Sequence, residues 1–103
     1  SVTGADKDAS TGGRLGLVVE EIDDQLQSRW GISGGVVVTG VERGKAGDGA
    51  GITRGDVITL IGSTPINSVA AFERAIDQLK SGKSTPLRII RRGSPLFIGL
   101  KVD

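Results

Sequence analysis

Cysteine, histidine, methionine and tyrosine are all absent from the 103 residues, and the aromatics amount to one Trp and two Phe. Without His or Cys, no zinc site of the common ligand types can be assembled, nor a Ser-His-Asp or Cys-His catalytic set, nor a disulfide scaffold. So few aromatics leave almost no platform for stacking bases, and 13 basic against 12 acidic residues give a net charge of +1, too balanced to attract nucleic acid. No apolar run approaches the roughly 18 residues of a membrane span, so no direct membrane insertion is expected, and the start lacks a signal peptide's apolar stretch. A chain opening on Ser1 reads as a piece trimmed from something longer. Apolar residues make up 37%, enough for one small core, and the length suits one domain.

What is present falls into two parts. Ser1 to Gly13 (SVTGADKDASTGG) has one Val among small and polar residues, too little apolar surface to offset its ordering entropy, and is expected to be a disordered linker. Residues 14–103 are expected to be the folded domain. Leu15 to Glu20 reads as a strand covered on both faces, and Ile22 to Trp30 as a short helix ended by Gly31. Gly35 to Glu42 is a second strand with a bulge at Gly40, Ala46 to Ile52 at best one helical turn weakened by three glycines, and Asp56 to Gly62 a third strand followed by a turn at Ser63-Thr64-Pro65. Ser68 to Lys80 is the clearest element: Val69, Phe72, Ile76 and Leu79 recur at helical spacing, Ser68 is the N-cap and Gly82 follows the last turn. Leu87 to Arg92 and Leu96 to Val102 flank Gly93-Ser94-Pro95 as a hairpin. The pattern is α+β, five to six short and mostly antiparallel strands with one long and one short helix.

Several short patterns dissolve on inspection. Asp6-x-Asp8-x-Ser10 imitates the start of a calcium loop, but Thr11 stands where glycine is required and Leu17 where the bidentate Glu belongs. Gly82-Lys83-Ser84 ends like a phosphate-binding loop, yet its first glycine falls on Asp77 and a helix precedes it where a strand is needed. The glycines at 44, 47, 49 and 51 do not lead a strand into a long helix, as a dinucleotide fingerprint must. Arg54-Gly55-Asp56 reads as a turn into the third strand, with the Asp side chain bonding local backbone. Ser81 and Lys83 are the closest approach to a Ser-Lys dyad, in a polar turn where nothing depresses the Lys pKa. No catalytic residue, metal ligand or cofactor site is therefore expected.

Gly12-Gly13-Arg14-Leu15-Gly16-Leu17 is different. Glycine inside an apolar pair at the start of a strand points either to close approach by another backbone or an anion, with successive N–H groups forming a nest for a carboxylate, or to a simple junction between linker and strand. Arg14-Leu15-Gly16-Leu17 resembles the carboxylate-binding loop of PDZ domains. Phe72 to Lys80 is similar to the PDZ groove helix, whose first and fifth positions, here Phe72 and Ile76, face the peptide. Ala50-Gly51-Ile52-Thr53-Arg54-Gly55-Asp56-Val57-Ile58 resembles the family signature A-G-L-x-x-G-D-x-I, with Ile52 in place of Leu. No strand precedes the loop, so the resemblance implies a circularly permuted PDZ fold, a partly open barrel whose missing edge comes from Leu96 to Val102. That arrangement is similar to bacterial PDZ domains of HtrA (Do/Deg-type) serine proteases, most of all the second, C-terminal one. The departure from the family lies at Gly44 to Gly49, where Pro-Ala-rich residues are usual.

The resemblance implies a peptide-binding module for C-terminal or extended, unfolded polypeptide segments, which add antiparallel to the loop's strand. Arg14, Leu15, Gly16 and Leu17 would hold the terminal carboxylate. Val18, Val19 and Glu20 of the strand, with Phe72, Ile76 and Leu79 of the helix, would form the groove. It further implies a periplasmic parent whose proteolytic domain lies outside this chain, with that domain and sister subunits as partners. Two alternatives stay open: an inter-subunit assembly module of a protease oligomer, and a PDZ domain of another membrane or secretion protein.

Overall fold

The structure is a computed structural model describing residues 9–10, 15–32 and 34–102. Its strands are β1 (Ala9–Ser10), β2 (Leu17–Glu21), β3 (Val36–Val41), β4 (Val57–Ile61), β5 (Thr64–Pro65), β6 (Ser84–Arg91) and β7 (Ser94–Lys101). The helices are α1 (Asp24–Trp30), α2 (Ala46–Gly49) and α3 (Val69–Asp77). All pairings are antiparallel and run β1-β2-β3-β4-β6-β7, with the two-residue β5 folded back on β4. The sheet is unclosed, with β1 and β7 at its ends. This is the expected α+β arrangement of few, short, antiparallel strands, and the C-terminal segment does supply an edge strand, paired to β6.

Local chemistry sets the element ends. Asp23 has extended backbone and accepts a hydrogen bond from Leu26 N–H at 2.8 Å, so α1 begins at Asp24, later than the apolar spacing from Ile22 implied. Gly31, at φ 65°, closes α1 in the left-handed conformation. Ser68 caps α3 through Ala71 N–H, but that helix stops at Asp77, so Leu79 and Lys80 lie beyond it. Thr64 and Pro65, expected only to turn the chain, pair with Ile61 and Leu60 as β5. β6 starts earlier than expected and carries Pro86 within it. Pro86 lies before Leu87, where the recorded pairing to β4 begins, and its carbonyl still accepts from Gly62 N–H at 2.7 Å. The bulge foreseen at Gly40 sits beside it: Val18 pairs with Gly40 and Val19 with Val38, leaving Thr39 as the extra residue.

Phe72, Ile76, Val69 and Ala75 of α3 pack into one core with Leu17 and Val19 of β2, Val36 and Val38 of β3, Ile58 of β4, Leu87 and Ile89 of β6, and Leu100. Among the described residues one charged group is buried. Asp56 is 1% exposed and accepts from Arg91 Nε at 2.9 Å, Arg91 NH2 at 2.7 Å and Thr53 N–H at 3.0 Å. Arg91 also donates to the Gly51 carbonyl at 2.9 Å, so one guanidinium ties β6 to the loop between α2 and β4. Local bonding of Asp56 was legible in the Gly-Asp turn; the distant arginine was not.

Burial pushes the Asp56 carboxyl up, but the hydrogen bonds from Arg91 and Thr53 and the guanidinium charge outweigh it and hold it below its ordinary value. Its contribution is thus present in full above the unfolded value of about 3.9 and is lost as pH falls through the lower folded value. Asp56→Asn should cost about 1–3 kcal/mol at pH 7, measured by chemical denaturation, and the gap to the parent should narrow steadily towards pH 3. A gap independent of pH would remove the ion pair from the account.

Candidate peptide-binding site

The turn into β2 is shaped by where its carbonyls go. Leu15 C=O accepts from Gly47 N–H at 2.9 Å, and Gly16 C=O accepts from Glu42 N–H at 2.7 Å. Both acceptors are therefore turned inward, towards α2 and the end of β3. A trans peptide unit holds its C=O and the next N–H on opposite sides, so the amides of Gly16 and Leu17 point the other way. Adjacent N–H groups aimed outward from one turn form an anion-binding concavity.

Two glycines make this turn possible. Gly16 has φ 69°, and a Cβ there would meet Lys45 Cβ at 2.5 Å and Glu42 Cβ at 3.0 Å. The close neighbour anticipated from the sequence is thus the stem of Lys45, not another strand. Gly47 lies in the glycine-rich stretch that departs from the family pattern. A Cβ on it would fall 2.5 Å from Leu17 Cδ2 and 3.0 Å from Leu15 O. The residue that had looked like a weakness of a poor helix is the one that lets α2 approach the turn.

Of the residues anticipated for the site, Leu15, Leu17, Val19, Phe72 and Ile76 all fall in one buried cluster, and Leu79, just past the end of α3, is half-buried against it. Val18 is half-buried on the other face of β2, packed towards Gly40, and Glu20 is exposed. Arg14 lies outside the described residues. Glu21 was not anticipated: its carboxylate accepts from Val69 N–H at 2.7 Å, joining the end of β2 to the start of α3. With Ser68 Oγ taking Ala71 N–H, two of the amides left open at the first turn of α3 are satisfied, and a carboxylate sits where the helix dipole favours it. Only three-dimensional proximity reveals this contact, since 48 positions separate the partners.

Gly47→Ala is expected to destabilise the chain by about 1–3 kcal/mol in chemical denaturation and to shift the amide resonances of Leu15, Gly16 and Leu17. Gly49→Ala is the control. Its Cβ meets nothing within 4 Å, and its effect should be neutral or stabilising by up to about 1 kcal/mol.

Residues 13–102 match the family described as PDZ domain. The probable periplasmic serine endoprotease DegP-like of Marinomonas sp. (strain MWYL1) is 39% identical over 89 residues, 86% of this chain and 19% of that protein. The protein of the same name from Hahella chejuensis (strain KCTC 2396) has the same identity and coverage. The chain therefore spans about a fifth of the length of these relatives, at 19%. Among solved structures, an AlgW variant, described as an HtrA-type protease with decapeptide, superposes with a TM-score of 0.79 at 23% identity, over 85% of this chain and 27% of that one. The HtrA3 PDZ domain bound to a phage-derived ligand (FGRWV) superposes with a TM-score of 0.68 at 20% identity, over 82% of this chain and 79% of that one. At these identities the superpositions establish a common fold. With the family match extending from residue 13 to 102 and the same fold recurring in these structures, the chain belongs to the PDZ domain family.

Proposed function

We propose that this domain binds the C-terminal end of extended polypeptide segments by strand addition along β2, with the terminal carboxylate at the Gly16 and Leu17 amides and α3 as the facing wall. The observation that carries the reading is the inward commitment of the Leu15 and Gly16 carbonyls, because it leaves donors directed at one outward point at the start of β2. The apolar set of Leu15, Leu17, Val19, Phe72, Ile76 and Leu79 beside that turn favours an apolar last residue. Arg14 belongs to the reading as a screened charge at the loop's edge.

The reading extends to the parent. The named relatives are periplasmic serine endoproteases, so this domain serves substrate recognition or regulation in an HtrA-type protease of the periplasm, with proteolysis performed by a domain beyond these residues. The protease domain and sister subunits are then its partners. An inter-subunit assembly role would draw on the far end of the sheet, where Phe97 of β7 is 67% exposed.

Because the peptide is ordered on binding, affinity should be modest, with a Kd of about 1–100 µM. NMR titration with peptides ending in Val, Leu, Phe or Ala is expected to shift resonances from Leu15 to Glu20 and from Phe72 to Leu79. Amidating the terminus should weaken binding by about tenfold or more, since charge-assisted hydrogen bonds are lost. Absence of shifts at millimolar peptide would overturn the mechanism and favour the assembly role.

A further inference from the structure

The edge of β2 that a peptide would join is not empty. β1 pairs with it antiparallel, Ala9 opposite Glu20 and Ser10 opposite Val19, and β1 also contacts α3. A segment that touches both β2 and α3 lies in the cleft between them. Antiparallel pairing makes it run towards the Leu15–Leu17 turn, the direction a C-terminal peptide must take to bring its carboxylate there. Resting on the peptide-binding reading above, we infer that the groove is occupied in cis by the chain's own Ala9–Ser10 segment, and that an incoming peptide must displace it.

Three considerations support competition over coexistence. A β-strand has one ladder of backbone groups on each side, and β2 already gives its other side to β3. A peptide lying along β2 needs the N–H and C=O of Val19, the groups that Ser10 faces, because alternation commits Glu20's own backbone groups to Val37 of β3. A strand of two residues is weak alone, but this one is joined to β2 by only the six residues 11–16, and tethering through a short linker corresponds to a local concentration in the millimolar range. The pairing is also made by backbone, so it does not require the tethered segment to carry the side chains of a preferred ligand. It competes through proximity. It cannot offer a free carboxylate to the turn, because the chain continues into Leu15, so a true terminus retains an advantage at that point.

The test uses the whole chain and two variants acting in opposite directions. Ala9→Pro with Ser10→Pro removes both amide donors of β1. Ala9→Cys with Glu20→Cys places a pair at one register position in a chain that otherwise has no cysteine, so the monomeric oxidised form, separated from any disulfide-linked dimer, can hold no other disulfide. Apparent affinity scales with the fraction of groove that is open, so the proline variant should bind a free-acid hexapeptide about three- to tenfold more tightly than the parent. Its Val19 amide should exchange faster with solvent in the absence of peptide, while the Glu20 amide, bonded to β3, should not change. The oxidised cysteine variant should lose binding by about tenfold or more, and reduction should restore it. Equal affinities in parent, proline variant, and oxidised and reduced cysteine variant would overturn occupancy in cis while leaving peptide binding intact. Failure of every form, the proline variant included, to bind free-acid peptides would instead overturn the peptide-binding reading, and the competition with it.

Discussion

The hydrogen bonds from Gly47 and Glu42 to the carbonyls of Leu15 and Gly16 are the constraint on which the rest of the structure depends. They decide which way the chain enters β2 and which way its first amides point. They demand a glycine at position 47, because any Cβ there would overlap Leu17. They also demand that α2 stay in place, though a four-residue helix with two glycines has little stability of its own. Its position comes from outside. Ile52 N–H donates to Gly47 C=O at 3.1 Å, and Arg91 reaches from β6 to both Gly51 and Asp56. The ion pair between buried Asp56 and partly exposed Arg91 thus acts at a distance from the turn by fixing the loop that shapes it.

β2 has a second requirement, which its position imposes. A strand paired on one side presents unpaired backbone groups on the other, and such an edge invites another strand. Here one side goes to β3, and α3 stands across the cleft, tied to the end of β2 by Glu21 and Val69. The contact between Glu21 and the first turn of α3 sets the spacing of strand and helix at the end of β2 away from the turn, and the shared core sets it elsewhere. The edge between them is wide enough for one added strand, and β1 lies there. The same geometry that recommends the cleft for a peptide makes it available to the nearest stretch of the chain itself.

Much of the fold was legible in the sequence. Short apolar, β-branched runs marked β2, β3 and β4, helical spacing of Val69, Phe72 and Ile76 marked α3, and Gly31 and Ser68 marked helix ends. What escaped depended on partners distant in the chain. The cap of α1 at Asp23 moved its start past Ile22, and β5 arose because Gly62, at φ 61°, folds Thr64 and Pro65 directly back on β4. Ala9 and Ser10 lie in a segment whose composition reads as linker. Composition measures how much apolar surface a segment can bury, yet these residues pair through backbone, which every non-proline residue carries.

The site was harder to read than the fold for a related reason. Periodicity assigns a side chain to a face, but it does not say whether that face meets a ligand or the protein's own core. Leu17, Val19, Phe72 and Ile76 share one face, as their spacing implied, and all four are essentially fully buried among residues of β3, β4 and β6. Apolar character at those positions is therefore required for folding whether or not a peptide binds, and by itself it does not mark a peptide site, although it sets the apolar preference of one that binds there. The groups that distinguish a binding turn from an ordinary strand entry are amides, whose direction follows from where neighbouring carbonyls are bonded. Gly47 and Glu42 supply those bonds, and neither stands out by residue type. Gly16 left a readable trace in the sequence, because a position that excludes a Cβ restricts the residue itself and not merely its surroundings; Gly47 excludes one too, but it does not stand out among the neighbouring glycines at 44, 49 and 51.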